Sequence, residues 1–220
     1  MDFSFMHKYY QFYIDGTVIT LLLSFFGVLC GVVLGVFLAL MKLSRNSMLK
    51  LLASAYIELV RGTPLLVQLY IVYYGLPKLL GWDFADLTLG IVAVSLNSAA
   101  YVAEIIRAGI QSVDKGQMEA ARSLGMPHRT AMTYIIIPQA IKNILPALGN
   151  EFIVLIKESA IVSVVGIHDL MYKADTVRGN TYRPFAPLLV AAAIYFTIIF
   201  GLSKLLAYVE GRMRTGDSSI

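Results

Sequence analysis

The chain has 220 residues, of which 58% are hydrophobic and 15% charged, with a mean hydropathy of +0.71 and a net charge of +4. Soluble domains carry about 25% charged residues, and a soluble chain of this length could not hide so much apolar surface from water. The composition therefore excludes an ordinary soluble domain and predicts an integral membrane protein, whose basic cytoplasmic loops explain the net charge without a nucleic-acid partner.

Five apolar stretches come close to the length of about 20 residues that a transmembrane helix needs. The first is free of charge, whereas the second is broken by Glu58 and the segment Arg61-Gly62-Thr63-Pro64, and the fourth by Glu151 and Lys157-Glu158. The predicted spans cover residues 17–41, 49–76, 87–110, 144–165 and 185–209. We therefore predict an all-α, polytopic membrane protein in which residues 1–220 form a single transmembrane domain.

The distribution of basic residues predicts the orientation in the membrane, because cytoplasmic loops of membrane proteins carry an excess of lysine and arginine. With the N-terminus outside, the inner segments hold Lys42, Arg45, Lys50, Arg107, Lys115, Arg122, Arg129, Lys142, Lys204, Arg212 and Arg214. The outer segments hold Lys8, Lys78, Lys173, Arg178 and Arg183. This excess predicts an external N-terminus and an internal C-terminus, although residues 169–183 place three basic residues outside.

The aromatic-rich stretch Phe3–Tyr13 precedes the first span. Tyrosine and phenylalanine side chains concentrate where a bilayer meets water. We therefore predict that this stretch contacts membrane lipid as an interfacial anchor.

Residues 111–143 form a long polar loop on the predicted cytoplasmic side. Asp114 can cap a short helix, Gly125 suits a left-handed position at its end, and Pro127 prevents its continuation. A second short piece, about residues 130–137, runs up to Pro138 and returns to the bilayer.

Small apolar side chains follow one another along the first of these helices: Ala120, Ala121 and Leu124. Such a helix could lie flat on the lipid. Alanines anchor weakly in lipid but permit the close approach of another protein surface. We therefore favour docking of a partner protein.

The loop resembles the EAA motif of the inner-membrane subunits of ABC importers. That motif reads E-A-A, three residues, G, nine residues, I, one residue, L-P, and here Ile137 replaces the leucine. The matching positions are Glu119, Ala120, Ala121, Gly125, Ile135 and Pro138. The resemblance implies a type I importer permease fold, and a coupling helix that sits in a groove of a cytoplasmic ATPase. The chain has no G-x-x-x-x-G-K-[ST] phosphate loop of its own.

Three further segments resemble the polar amino-acid permeases of that superfamily: Arg61–Gln68, Asn97–Arg107 and Lys157–Ser163. The resemblance covers about residues 15–215. It implies a permease in the cytoplasmic membrane of a prokaryote, paired with a second permease subunit that is either identical or closely related. An ATPase dimer would bind ATP and Mg²⁺, and an extracytoplasmic protein would deliver the amino acid. The chain itself would hold no cofactor or metal and catalyse no reaction.

Ionisable residues inside predicted spans are costly and mark candidate functional positions. Glu58 and Arg61 lie three residues apart on one face of a helix, directly before the break at Pro64. The broken backbone around Thr63 could bind the amino or carboxylate group of a substrate. Alternatively, Glu58 and Arg61 form a structural ion pair that stabilises the kink.

The third predicted span places Asn97 among small residues, near its middle. Asn97, like Gln68 in the second span, could contact a ligand or bond another helix. Glu104 and Arg107 repeat the three-residue spacing, and we interpret them mainly as a structural ion pair, with a contact to the loop or the gate as the alternative.

Lys157 and Glu158 are adjacent, so their side chains point about 100° apart on a helix. A zwitterionic amino acid needs a cation for its carboxylate and an anion for its ammonium group. We therefore predict that at least one of the two contacts substrate. The acidic residues favour basic amino acids slightly, and glutamine and cystine stay open.

Two other classes of protein compete with the importer subunit. An ion-coupled secondary transporter would be a self-contained bundle, often with internal repeats, and we find no repeat here. An intramembrane enzyme would need a nucleophile–base or metal constellation, whereas the single Cys30 and the dispersed His7, His128 and His168 offer none.

Overall fold

The computed structural model describes residues 3–215, and within them it contains ten α-helices and no strand. The helices are α1 (Met6–Lys42), α2 (Ser47–Arg61), α3 (Leu65–Tyr70), α4 (Leu76–Leu80), α5 (Asp86–Gln111), α6 (Lys115–Ser123), α7 (His128–Ala131), α8 (Ile137–Glu158), α9 (Leu170–Thr181) and α10 (Ala186–Thr215). Two π-helical turns, Ile71–Gly75 and Met132–Ile136, and a 3-10 helix, Ser159–Val165, continue neighbouring helices. The prediction of an all-α protein is confirmed.

Three of the described helices are long and apolar enough to cross a membrane: α1, α5 and the part of α10 up to Met213. The second predicted span is a bent pair, in which α2 and the following helical segment Leu65–Leu80 meet at 108°. The fourth predicted span differs most from its prediction. Its α-helix begins earlier, at Ile137, and ends at Glu158, after which the backbone tightens into the 3-10 helix.

Helix α1 is longer than its predicted span, because it begins at Met6 and includes the aromatic stretch. Tyr10 is exposed, but Phe5 and Tyr13 are buried, and the Tyr13 hydroxyl donates a hydrogen bond to the Pro187 carbonyl at 3.1 Å. One face of the stretch thus packs inside the protein, and the interfacial anchor stays a prediction for its exposed face. A helix presents a different face with each turn, and the inward face of this one packs against α9 and α10.

The core of the protein is the long contact between α1 and α5. Glycines at every fourth position of α1 face α5, and a methyl group added at Gly31 would lie 2.8 Å from the Ser98 Cβ. At Gly35 the added methyl would lie 2.5 Å from a Val102 methyl carbon and 3.0 Å from the Ala99 carbonyl oxygen. Small residues at a helix interface let the two backbones approach closely. The van der Waals packing that results helps to drive helix association in lipid.

Helix α8 packs against α5, α1 and α10. The Ser98 hydroxyl donates a hydrogen bond to the buried Glu151 carboxylate at 3.1 Å. Glu151 therefore joins α8 to α5, as a helix-packing contact rather than as a group facing an aqueous path.

A proline follows each of the two π-helical turns. Pro77 follows the turn Ile71–Gly75, and Pro138 follows the turn Met132–Ile136. A proline cannot bond the carbonyl four residues earlier and its ring collides with that carbonyl, so the wider turn accommodates the ring. The loop segment predicted to end at Pro138 therefore continues through it into α8.

Candidate functional site

The break between α2 and α3 lies where the sequence predicted it. Helix α2 ends at Arg61, and Pro64 is the N-cap of α3. The Gln68 side-chain amide donates hydrogen bonds to the carbonyls of Val60 at 2.7 Å and Thr63 at 3.0 Å. The broken backbone thus has a partner inside the chain. This weakens the expectation that these carbonyls bind substrate.

The same amide group of Gln68 connects the break to α5. Its carbonyl oxygen accepts a hydrogen bond from the Asn97 side-chain nitrogen at 2.9 Å, and Asn97 is only 4% exposed. Both side chains therefore make an interhelical contact, one of the two alternatives that the sequence left open. The contact fixes the α2–α3 corner against the middle of α5.

A cleft of about 330 Å³ opens beside this corner. Small-molecule sites in proteins usually measure roughly 300–1,000 Å³, so the cleft can hold a small ligand such as an amino acid. Its lining residues are Thr63, Pro64, Leu65, Asn97, Tyr101, Glu158 and Ile161. It thus brings together three of the predicted site residues, Thr63, Asn97 and Glu158, from three separate segments.

Sequence reasoning did not single out Tyr101, which lines the cleft one helical turn after Asn97. The spacing of four residues puts both side chains on the same face of α5, so it was the available signal. Ile161 carries no such signal, because its position depends on the change from α-helix to 3-10 helix after Glu158.

The other charged candidates lie outside the cleft lining. Glu58 is exposed on α2, and Lys157 is exposed next to Glu158. Only Glu158 lines the cleft, in keeping with the predicted divergence of these two neighbouring side chains.

The predicted ion pair between Glu58 and Arg61 does not form among the described residues. Arg61 instead lies 3.8 Å from the Glu104 carboxylate, and its guanidinium carbon is 5.6 Å from the centre of the Tyr101 ring. Arg61 pairs with Glu104 on the neighbouring helix rather than with Glu58 on its own helix. The Tyr101 ring beside Glu104 stabilises the guanidinium group.

Glu104 is the centre of a charge cluster. It pairs with Arg107 at 2.8 Å, as predicted, and with Lys42 at the end of α1 at 2.5 Å. Arg61 is the third cation around the same carboxylate. A carboxylate that is only 16% exposed is costly unless it is paired, and this one is paired three times.

The loop formed by residues 111–143 has the predicted local structure. The Asp114 carboxylate accepts a hydrogen bond from the Gly116 amide at 2.6 Å and caps α6. Gly125 has a φ of +85°, a left-handed conformation that costs an L side chain roughly 1–2 kcal/mol. Pro127 then becomes the N-cap of α7.

The residues proposed for docking separate into two groups. Leu124 is 85% exposed, and Glu119 and Ala120 are also exposed. Ala121 is 2% exposed, on the face of α6 that packs against the Met132–Ile136 turn. Ala121 therefore packs inside the protein and helps to hold α6 against that turn. The outward surface consists of Glu119, Ala120 and Leu124. Pro138 lies in the first turn of α8 and is not part of α6.

Long apolar helices, a broken helix beside a cleft and an exposed loop helix together define a membrane transport subunit. The family of binding-protein-dependent transport system inner membrane components matches residues 31–215. The chain belongs to this family, and it is therefore an inner-membrane protein. The alternative of an ion-coupled secondary transporter receives no support from this match.

Two relatives and one solved structure are also amino-acid transport proteins. A Rickettsia bellii chain named as a glutamine transport system permease protein is 48% identical, over 92% of this chain and 93% of the relative. The arginine transport system permease protein of Bacillus subtilis is 44% identical, over 99% of both chains. A chain in the crystal structure of an amino acid ABC transporter with histidines is 57% identical, with a TM-score of 0.92, over 96% of this chain and 99% of that one.

A more distant structure shares the fold alone. A chain of a methionine ABC transporter is 19% identical, with a TM-score of 0.76 over 97% of this chain and 99% of that chain. The two chains therefore share the arrangement of their helices although few of their residues are identical.

Proposed function

We propose that this chain is the transmembrane permease subunit of an ATP-driven ABC importer that carries polar amino acids into the cell. The observation that carries the proposal is the cleft that Thr63, Asn97 and Glu158 line beside the helix break. Glu158 supplies a negative charge for an ammonium or guanidinium group, and Asn97 supplies an amide. The relatives named for glutamine and arginine support a polar substrate, and Glu158 favours a basic one.

The chain crosses the membrane five times in this proposal, with the N-terminus outside and the C-terminus inside. Helices α1, α5 and α10 make three crossings, and the bent α2–α4 segment and α8 make the others. The charged residue Glu151 in α8 is compatible with a crossing because it is buried and faces α5. The outside-in direction of α1 places the α6 loop in the cytoplasm.

The importer further needs three partners. A second permease subunit, identical or closely related, completes the pathway and covers the exposed charge of Lys157. A cytoplasmic ATPase dimer binds ATP and Mg²⁺ and receives the surface around Leu124. An extracytoplasmic binding protein delivers the amino acid. ATP binding would close the ATPases, push on the loop and open the cleft outward, and hydrolysis would reset it.

The test is reconstitution of the chain with its ATPase and binding protein in liposomes. We expect uptake of radiolabelled arginine or glutamine that requires ATP on the cytoplasmic side. Uptake driven by an ion gradient with no ATPase present would refute the proposal.

The lining of the cleft leads to a second prediction, which concerns the affinity for substrate. Replacing Glu158 with glutamine removes the charge at nearly constant volume, and hydrogen bonds to charged groups contribute about 1.5–3 kcal/mol. We expect the substrate concentration at half-maximal uptake to rise by about tenfold or more for a cationic amino acid. Glu58→Gln is the matched control, because it removes an exposed carboxylate outside the cleft, and it should leave this concentration unchanged. Equal effects of the two variants would place the site elsewhere.

A further inference from the structure

The charge cluster around Glu104 joins three helices. Lys42 is the last residue of α1, Arg61 is the last residue of α2, and Arg107 lies one turn further along α5. All three pair with one carboxylate that is only 16% exposed. Without it, three cations would face one another with no negative charge between them, so Glu104 holds these helix ends together.

One side of the cluster reaches the cleft. Arg61 lies over the ring of Tyr101, which lines the cleft. Two residues after Arg61, Thr63 lines the same cleft from the α2–α3 corner. A displacement of Arg61 relative to α5 would therefore move one wall of the cleft against the other.

The other side of the cluster reaches the cytoplasmic loop. Arg107 donates a hydrogen bond to the side chain of Gln111, the last residue of α5, at 2.5 Å. Gln111 lines a second cavity of about 560 Å³, together with Met118 of α6 and His128 of α7. The end of α5 is thus in contact with the same loop that exposes Leu124.

Tyr101, Glu104, Arg107 and Gln111 lie three or four residues apart, so they form one stripe along the last turns of α5. The stripe is a continuous set of contacts from the cleft to the loop, and Glu104 is its only described member that reaches α1 and α2 by ion pairs. Coupling between distant sites is carried by such hydrogen-bonded and ion-paired networks when they can change their arrangement.

We propose that Glu104 is a positioning residue that couples the cytoplasmic loop to the cleft. It ties the α2–α3 corner to the end of α5, so that a push on the α6 loop changes the shape of the cleft. The inference rests on the proposed importer function, and it assigns to Glu104 a role in transport rather than in folding alone.

The test uses the reconstituted complex and measures ATP hydrolysed per amino acid transported. Glu104→Gln keeps the shape of the side chain but removes its charge. Allosteric couplings are typically worth about 5- to 150-fold, so we expect the ratio to rise by about fivefold or more. Glu104→Asp, which retains the charge, should restore most of the coupling.

Asp175→Asn is the matched control, because it breaks an ion pair with Arg178 on α9 that is exposed on both sides. This variant should keep the ratio of the unmodified complex. An unchanged ratio in an assembled Glu104→Gln complex would overturn the inference. The unmodified complex tests the importer function by itself, because absence of ATP-dependent uptake there would overturn the proposed function before any variant is compared.

If the Glu104→Gln chain does not assemble, the inference is tested with the variants Arg61→Gln and Arg107→Gln instead. Each of these removes one of the three cations and leaves the carboxylate paired with the others. A raised ratio in either supports the inference, and ratios equal to that of the unmodified complex in both would overturn it.

Discussion

Replacing Leu124 with aspartate is expected to abolish ATP-driven uptake and to release the ATPase from the permease. Leu124 is 85% exposed beside the left-handed Gly125, so its side chain is available to fill an apolar pocket of a partner. Burying an unpaired carboxylate in such a pocket costs several kcal/mol. A cost of about 3 kcal/mol corresponds to an affinity about a hundredfold lower. The measurement is co-purification of the ATPase with the permease, followed by uptake in liposomes.

The matched control for this prediction is Leu79→Asp. Leu79 is 81% exposed at the end of α4, so the substitution has the same chemistry and nearly the same exposure. In the proposed orientation it lies on the other side of the membrane, and the ATPase should still co-purify. Retention of the ATPase by Leu124→Asp, at the level of the control, would show that the docking surface lies elsewhere.

Replacing Gly35 with alanine is expected to destabilise the chain, whereas the same change at Gly201 should stabilise it. The added methyl at Gly35 would meet both a Val102 methyl and the Ala99 carbonyl, and overpacking of this kind costs about 1–3 kcal/mol. At Gly201 the added methyl has nothing within 4 Å, and alanine is favoured over glycine in a helix by about 1 kcal/mol.

These two alanine variants share the same chemical change, so their difference isolates the α1–α5 contact. The measurement is the thermal unfolding midpoint of the purified chain in detergent, which should fall for Gly35→Ala and rise for Gly201→Ala. Equal midpoints in the two variants would mean that α1 and α5 are free to separate, and that the glycines are not the basis of their packing.

Local features of this protein could be read from its sequence. The break at Pro64, the Asp114 cap and the left-handed Gly125 each depend on residues close together in the chain, and the structure contains all three. The length of α1 was underestimated, because the burial of Tyr13 depends on a contact with Pro187 far along the chain. The end of the α-helical part of the fourth span at Glu158 has no marker such as a glycine or proline.

The site was predictable in its residue types but not in its pairings. Glu158 and Asn97 were recognisable as polar groups in apolar spans, and both line the cleft. The partner of Arg61 was not recognisable, because a carboxylate three residues away is as plausible in sequence as Glu104 on another helix. Which pairing forms depends on how helices approach one another, and that information is spread over the small residues of α1 and α5.

The π-helical turns have a consequence for how this fold accommodates changes in chain length. A π-helical turn holds one residue more than an α-helical turn, and each residue rotates a helix by about 100°. The turn Met132–Ile136 therefore resets the angular register between α7 and α8. Loss of one residue there would return the turn to α-helical winding and bring the Pro138 ring against the carbonyl four residues earlier, at a cost of roughly 3 kcal/mol. The segment that joins the loop to α8 is therefore held at its present length by a single proline.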